Sequence, residues 1–213
     1  MLQNCDARIY HRLLTIPGGK PVRYQAGDVI CFQGRESCGV VVVSGADIKV
    51  QYISAAGRKY TIVQEDNYSG VLGEMELFSE TSNHMLSVIA VNPVTGYQLS
   101  RAVMRDALVK MPDLALDFMT LMSNRYHSTV TQAMVNILYG LRFNALQRLV
   151  AQADAAGGEV FVISQEVEAE RLGTSSRAYR RILKNLLDDG IVQRAGDGFR
   201  IANPEQARAE LQI

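Results

Sequence analysis

Between Arg171 and Lys184 the chain carries five cations and no carboxylate, although its 22 Lys and Arg balance 22 Asp and Glu to a formal charge of zero. At helical spacing Ser176, Arg177, Arg180 and Arg181 project from the first two turns of one helix, while Tyr179, Ile182, Leu183 and Leu186 share its inner face. An arginine fork presents paired N–H donors that match a phosphate, or guanine O6 and N7, and such a helix fits a major groove about 12 Å wide. Ser176, Arg177, Arg180 and Arg181 are therefore candidate nucleic-acid contacts. A charge run alone more often marks a solvated face. Here the cations coincide with a helix-turn-helix spacing. Ser164 can cap a first helix, Ala169 is small where two helices touch, Leu172-Gly173 stops it, and Thr174-Ser175 caps the second. Glu168 dissents, since an apolar residue is expected before the small one, and it suggests that the first helix is rotated or shifted in register.

Other chemistry-bearing residues form weaker patterns. No HExxH, GxSxG or Walker loop is present, and Glu74 beside Glu76 is only a paired-carboxylate hint, so an enzyme is the least supported class. The three cysteines, Cys5, Cys31 and Cys38, lie at no metal-ligand spacing and read as reduced structural thiols. Cys31 and Cys38 would form a redox pair only if their Cα atoms came within about 7 Å. His11, His84 and His127 complete the set of conceivable haem ligands.

Behind these residues the elements change period along the chain. A short amino-terminal helix, with Asp6 as its cap, carries Ile9, Leu13 and Leu14. From about Pro21 to Leu99, β-branched runs such as Val40 to Val43 are cut by glycines, which predicts a β-sandwich or roll. The segment Asp47 to Tyr52 alternates so as to place Ile48, Val50 and Tyr52 on one face. Ser100 can cap a helix through Lys110, and Pro112 opens a stretch free of Gly and Pro to Leu138, a rod of about 40 Å. Its apolar face reads Leu114, Phe118, Leu121 and Met122, then small or polar Ser128, Thr129 and Ala133, then Val135 and Leu138. That face is either a core stripe against the β domain or a two-stranded coiled coil between identical subunits. A helix from Leu141 to about Ala153 follows, and after the helix-turn-helix a strand pair flanks Ala195-Gly196-Asp197-Gly198 with Arg194 and Arg200 placed like a wing that touches phosphates. No apolar run reaches about 18 residues and no leader pattern opens the chain, which predicts a cytoplasmic protein with no membrane partner.

In this order the pieces resemble the catabolite-activator and fumarate-nitrate-reduction regulator (CRP/FNR) family of bacterial transcription factors. The residues that carry the likeness are Gly27, Gly34, Gly45 and Gly57, the motif Gly73-Glu74-Met75-Glu76-Leu77-Phe78, the long helix, and Gly173 through Lys184. The resemblance implies an α+β chain with a jelly-roll β-roll of the cyclic-nucleotide-binding type as sensor over residues 1–111. A long dimerisation helix and hinge over 112–138 and a winged helix-turn-helix over 139–213 would follow. It implies a homodimer that reads pseudo-palindromic double-stranded DNA, with RNA polymerase and a small-molecule effector as further partners. Base reading falls on Ser176, Arg177 and Arg181, and phosphate contact on Ser175 and Arg180. The family commonly has an acidic residue where Arg177 stands, so the preferred base there changes.

The resemblance also marks an effector pocket at Gly73, Glu74, His84, Met85, His127 and Ser128, with Tyr68, Leu86 and Thr129 beside it. Members that bind cyclic nucleotides hold the phosphate with Arg and Ser where His84 and Met85 stand here, and the ribose with the Glu. Without a fixed cation and a hydroxyl the charge-assisted bonds are lost, so cyclic AMP is disfavoured. The cysteine cluster of iron–sulfur members is missing as well. Neither a haem nor any other cofactor is assigned. A ligand-binding module whose helical tail contacts protein is the alternative class, and a roll filled by its own side chains would sense nothing small.

Overall fold

A computed structural model describes residues 2–211, with side chains from Asp6 onward, so the thiol of Cys5 lies outside the described residues. The chain divides into two compact units, Met1–Thr129 and Val130–Ile213. The division falls inside a helix, about three turns before the break at Gly140.

The first unit is a six-stranded antiparallel sheet with helices against it. Its strands are β1 (Lys20–Tyr24), β2 (Val29–Cys31), β3 (Gly39–Ile53), β4 (Lys59–Leu72), β5 (Ser87–Ala90) and β6 (Val94–Ser100), in the order β1-β6-β3-β5-β2 with β4 on β3. Long β3 is the hub, pairing with β4 along one edge and with β6 and then β5 along the other. Its four consecutive valines are buried because both faces are covered. Val40 and Val42 join a core with Ile9, Leu13, Leu99, Met104, Leu114, Phe118 and Leu121, while Val41 and Val43 join Cys31, Ile48, Leu72, Val88 and Val94 on the other face. Each such side chain contributes roughly 1.5–3 kcal/mol by leaving water.

Two expectations are corrected here. The alternation from Asp47 breaks at Gln51, which is buried, while Tyr52 is 42 % exposed. A register shift between Val50 and Gln51 in the β3–β4 ladder exchanges the faces, as a bulge must in a structure of period two. Asp6 is not a cap, because α1 (Leu2–Leu13) starts four residues earlier and holds Asp6 within its span. Ile9 and Leu13 are buried as expected, but Leu14 lies past the helix end and is exposed.

The helices α2 (Met75–Phe78), α3 (Arg101–Lys110) and α4 (Pro112–Leu138) complete this part. The Ser100 hydroxyl accepts the Val103 N–H at 3.3 Å, the expected cap. Helix α4 has two apolar stripes rather than one. Leu114, Phe118 and Leu121 are fully buried, whereas Leu116, Met119, Tyr126 and Ile137 are more than half exposed.

The second unit packs α5 (Leu141–Ala155), α6 (Gln165–Arg171), α7 (Ser176–Asp188), the hairpin β7 (Val192–Ala195) and β8 (Gly198–Ile201), and α8 (Pro204–Leu211). Leu146, Leu149, Ala169, Tyr179, Leu183, Leu186, Ile191 and Phe199 form its core. Among the described residues no helix is long and apolar enough to cross a membrane.

Candidate effector pocket and nucleic-acid interface

The roll gathers charge at one place. Glu74, 3 % exposed at the head of α2, is ion-paired with Nη1 of Arg125 from α4. Nη2 of the same guanidinium donates to Asp6 Oδ1 at 3.0 Å and to the Tyr68 hydroxyl at 2.9 Å. Tyr68 donates to Asp6 at 2.9 Å and accepts the Val71 N–H at 3.1 Å. Burial pushes the Tyr68 hydroxyl well above its ordinary value. Burial opposes the charge on Arg125, but Glu74, Tyr68 and Asp6 outweigh it and hold the guanidinium protonated. Nearby Glu65 is pushed up, first by burial and then by Asp6.

A second carboxylate stands beside this cluster. Glu76, 5 % exposed, has Oε2 3.0 Å from His84 Nδ1, and its Oε1 accepts the Met85 N–H at 3.1 Å. Gly73 has φ of +77°, and a Cβ built there would lie 3.2 Å from His84 Cε1 and 3.3 Å from Cys31 Sγ, so only glycine fits the corner. Burial, Glu74 and Glu76 push the Cys31 thiol up to about 12, which keeps it neutral and unreactive. Cys38 is exposed and free.

Of the six pocket residues marked by sequence, the structure brings together Gly73, Glu74 and His84. Met85 contributes its backbone N–H while its side chain is 60 % exposed, and His127 and Ser128 face outward on α4. Sequence reasoning missed Arg125, Asp6 and the anchoring role of Glu76. Arg125 could have been flagged as a lone cation on the inner side of an otherwise apolar and polar helix.

In the second unit the helix-turn-helix is built from local signals. Ser164 Oγ accepts the Val167 N–H at 3.4 Å, Gly173 takes φ of +61° at the turn, and Ser175 Oγ accepts the Ala178 N–H at 3.2 Å. Helix α7 buries Tyr179, Leu183 and Leu186, half-buries Ile182, and exposes Arg177, Arg180, Arg181 and Lys184. Ser176 is half-buried, and its carbonyl accepts Arg180 Nε at 3.2 Å. In the hairpin Arg200 donates to Gln193 at 2.8 Å, and Arg194 lies over the Phe199 ring.

Helix α6 is not re-registered. Glu168 takes the buried position and is 3 % exposed, because Arg148 donates to it through Nε at 2.5 Å and Nη2 at 3.2 Å. Gln152 adds a bond at 3.1 Å and Arg171 another at 3.2 Å. Of the five cations Arg171 is thus ion-paired within the unit, and Arg180 is bonded to its own helix.

Residues 21–110 match the family model of the cyclic nucleotide-binding domain. No curated protein matches the chain. Solved structures do, across nearly its whole length. A transcriptional regulator of the CRP/FNR family from Eubacterium rectale, described as putative, is 14 % identical with a TM-score of 0.73, covering 100 % of this chain and 94 % of that one. The c-di-GMP-responsive global regulator CLP of Xanthomonas campestris is 17 % identical with a TM-score of 0.76, covering 93 % and 100 %. A CRP/FNR regulator from Thermus thermophilus is 14 % identical with a TM-score of 0.66, covering 91 % and 99 %. The chain shares the fold of these solved structures. Tyr68, Glu74, Glu76 and His84 lie within the matched residues, Asp6 and Arg125 lie outside them, and the exposed arginines lie on α7 of the second unit.

Proposed function

We propose that this chain is a sequence-specific DNA-binding transcription regulator that acts as a homodimer and answers to an effector other than cyclic AMP. The observation that carries the reading is α7, which exposes Arg177, Arg180, Arg181 and Lys184 on one side and buries Tyr179, Leu183 and Leu186 on the other. A capped helix of this kind offers guanidinium forks to base edges from its first turns. Ser176, Arg177 and Arg181 read bases, Ser175 and Arg180 hold phosphates, and Arg194 and Arg200 support the wing.

The outer stripe of α4 supports the homodimer. Leu116, Met119, Ser123, Tyr126, Val130, Ala133 and Ile137 follow the alternating three and four spacing of a coiled-coil seam, separate from the stripe that α4 buries in the roll. Residues 112–138 then join two subunits and residues 139–213 present two recognition helices, which must lie about 34 Å apart to read successive grooves. An effector at the roll acts by its different affinity for competent and incompetent states.

The test is selection from randomised duplexes followed by variant binding. Arg177→Ala or Arg181→Ala is expected to weaken the selected site by about 1–3 kcal/mol and relax preference at one base pair, with Lys184→Ala weakening all duplexes alike. If neither arginine variant changes affinity or preference, α7 is not the reading helix.

A further inference from the structure

Glu76 is the charged group in the roll that the regulator reading leaves unused. It is buried although α2 is only four residues long and exposes Met75 and Phe78 on either side. Its oxygens divide their work, Oε1 on the Met85 N–H and Oε2 on His84 Nδ1. A backbone N–H and an imidazole N–H converging on two oxygens are the donors that would grip two oxygens of a phosphodiester. The backbone that carries both donors is held without help from Glu76. The His84 N–H donates to Arg35 O at 2.8 Å, and its carbonyl accepts the Gly34 N–H at 2.7 Å.

An incoming anion would find these donors taken. It would also enter a region short of positive charge, where Asp6, Glu74 and Glu76 share one guanidinium, Arg125, and one imidazole, His84. Arg125 is itself committed to Glu74, Asp6 and Tyr68.

We propose that Glu76 determines what the roll accepts, its carboxylate acting as a built-in anion on the donors at positions 84 and 85 and closing the roll to cyclic nucleotides and other anionic effectors. The effector class left compatible is neutral or cationic. This deepens the sensor reading of the roll, and its test is independent of DNA.

The full-length protein is titrated calorimetrically with cyclic AMP in four forms: unaltered, His84→Arg, Glu76→Ala, and the double variant. The unaltered protein and His84→Arg are expected to give no binding into the millimolar range, since a new guanidinium would pair with Glu76. The double variant is expected to bind at least about tenfold more tightly than His84→Arg, because donors and a permanent cation are then free. Melting curves check each fold. If the alanine variants do not fold, Glu76→Gln with His84→Arg makes the same comparison with a neutral side chain of equal size. Binding by the unaltered protein, an equal gain in His84→Arg alone, or no gain in the folded double variant overturns the proposal. DNA binding is measured on the same preparations, so loss of the regulator reading and loss of this one are seen separately.

Discussion

Glu168 in the helix-turn-helix and Glu76 in the roll are both buried carboxylates, yet their surroundings are opposite in charge balance. Glu168 is held by two permanent cations and an amide, Arg148, Arg171 and Gln152. In the roll, Asp6, Glu74 and Glu76 draw on Arg125 and a single imidazole. The first arrangement is saturated and joins α5 to α6 as a fixed strut. The second is short of positive charge, so a charge added or removed there changes what the site will take. A buried carboxylate is thus a structural tie or a selectivity element according to its cations, and not according to its own burial.

The comparison is broken most forcefully at Glu168. Glu168→Ala leaves Arg148 and Arg171 facing one another without their anion, and a broken buried pair costs about 3 kcal/mol. Hydrogen exchange of the α5–α7 amides reads this locally, without assuming that both units unfold together. Glu168→Leu is expected to cost less, because it restores the usual apolar filling and both arginines keep about a quarter of their side chains in solvent. A loss below about 1 kcal/mol in the alanine variant, the range of a surface pair, would remove the strut from the comparison.

This difference between the regions also explains which parts were legible beforehand. The caps at Ser100, Ser164 and Ser175 and the turn at Gly173 were readable because each is settled within four residues. The roll cluster was not, since Arg125 lies 119 residues from Asp6 and 51 from Glu74, and only the packing of α1 and α4 against the sheet brings them together. Glu168 looked like a defect because Arg148 and Gln152 sit 20 and 16 residues upstream, and Arg171 three residues on reads as one more cation of the exposed run. The signal was nevertheless there, as Arg148 and Gln152 are one helical turn apart on the same face of α5. The two stripes of α4 merged into one imperfect stripe because apolar residues occupy both sides of the helix, and periodicity alone does not say which side meets its own roll.

Two tyrosines sharpen the contrast at a smaller scale. The Tyr68 hydroxyl bonds Asp6, Arg125 and the Val71 N–H, whereas the buried Tyr179 hydroxyl has no hydrogen-bond partner among the described residues. Tyr68→Phe strips bonds to charged groups and is expected to lower stability by about 2 kcal/mol. Tyr179→Phe removes an unpaired polar atom and is expected to be neutral or stabilising. Chemical denaturation of the two variants side by side reads the difference, and equal losses would mean that the roll network is no tighter than the helix-turn-helix core.

The effect that vanishes at neutral pH is the one on Cys31, which is buried and stands beside Glu74 and Glu76. Burial and the two carboxylates raise the folded thiol to about 12, so the folded chain keeps a proton that the unfolded chain releases near 8.5. The folded state then binds more protons between those values, and stability falls as pH rises through that window. One such group gives a slope of at most about 1.4 kcal/mol per pH unit between those two values and none below the unfolded one, so the stability present below about pH 8.5 is lost progressively up to about pH 12. Cys31→Ala is expected to flatten the alkaline limb of the stability curve by that amount, at the expense of a small cavity that is independent of pH. A second variant, Glu76→Gln with Cys31 kept, removes one of the two carboxylates and is expected to flatten the limb only in part. An unchanged alkaline slope in Cys31→Ala would show that the thiol is not held neutral by its burial, and an unchanged slope in Glu76→Gln would show that it does not feel that carboxylate, removing the charge imbalance that sets Glu76 apart from Glu168.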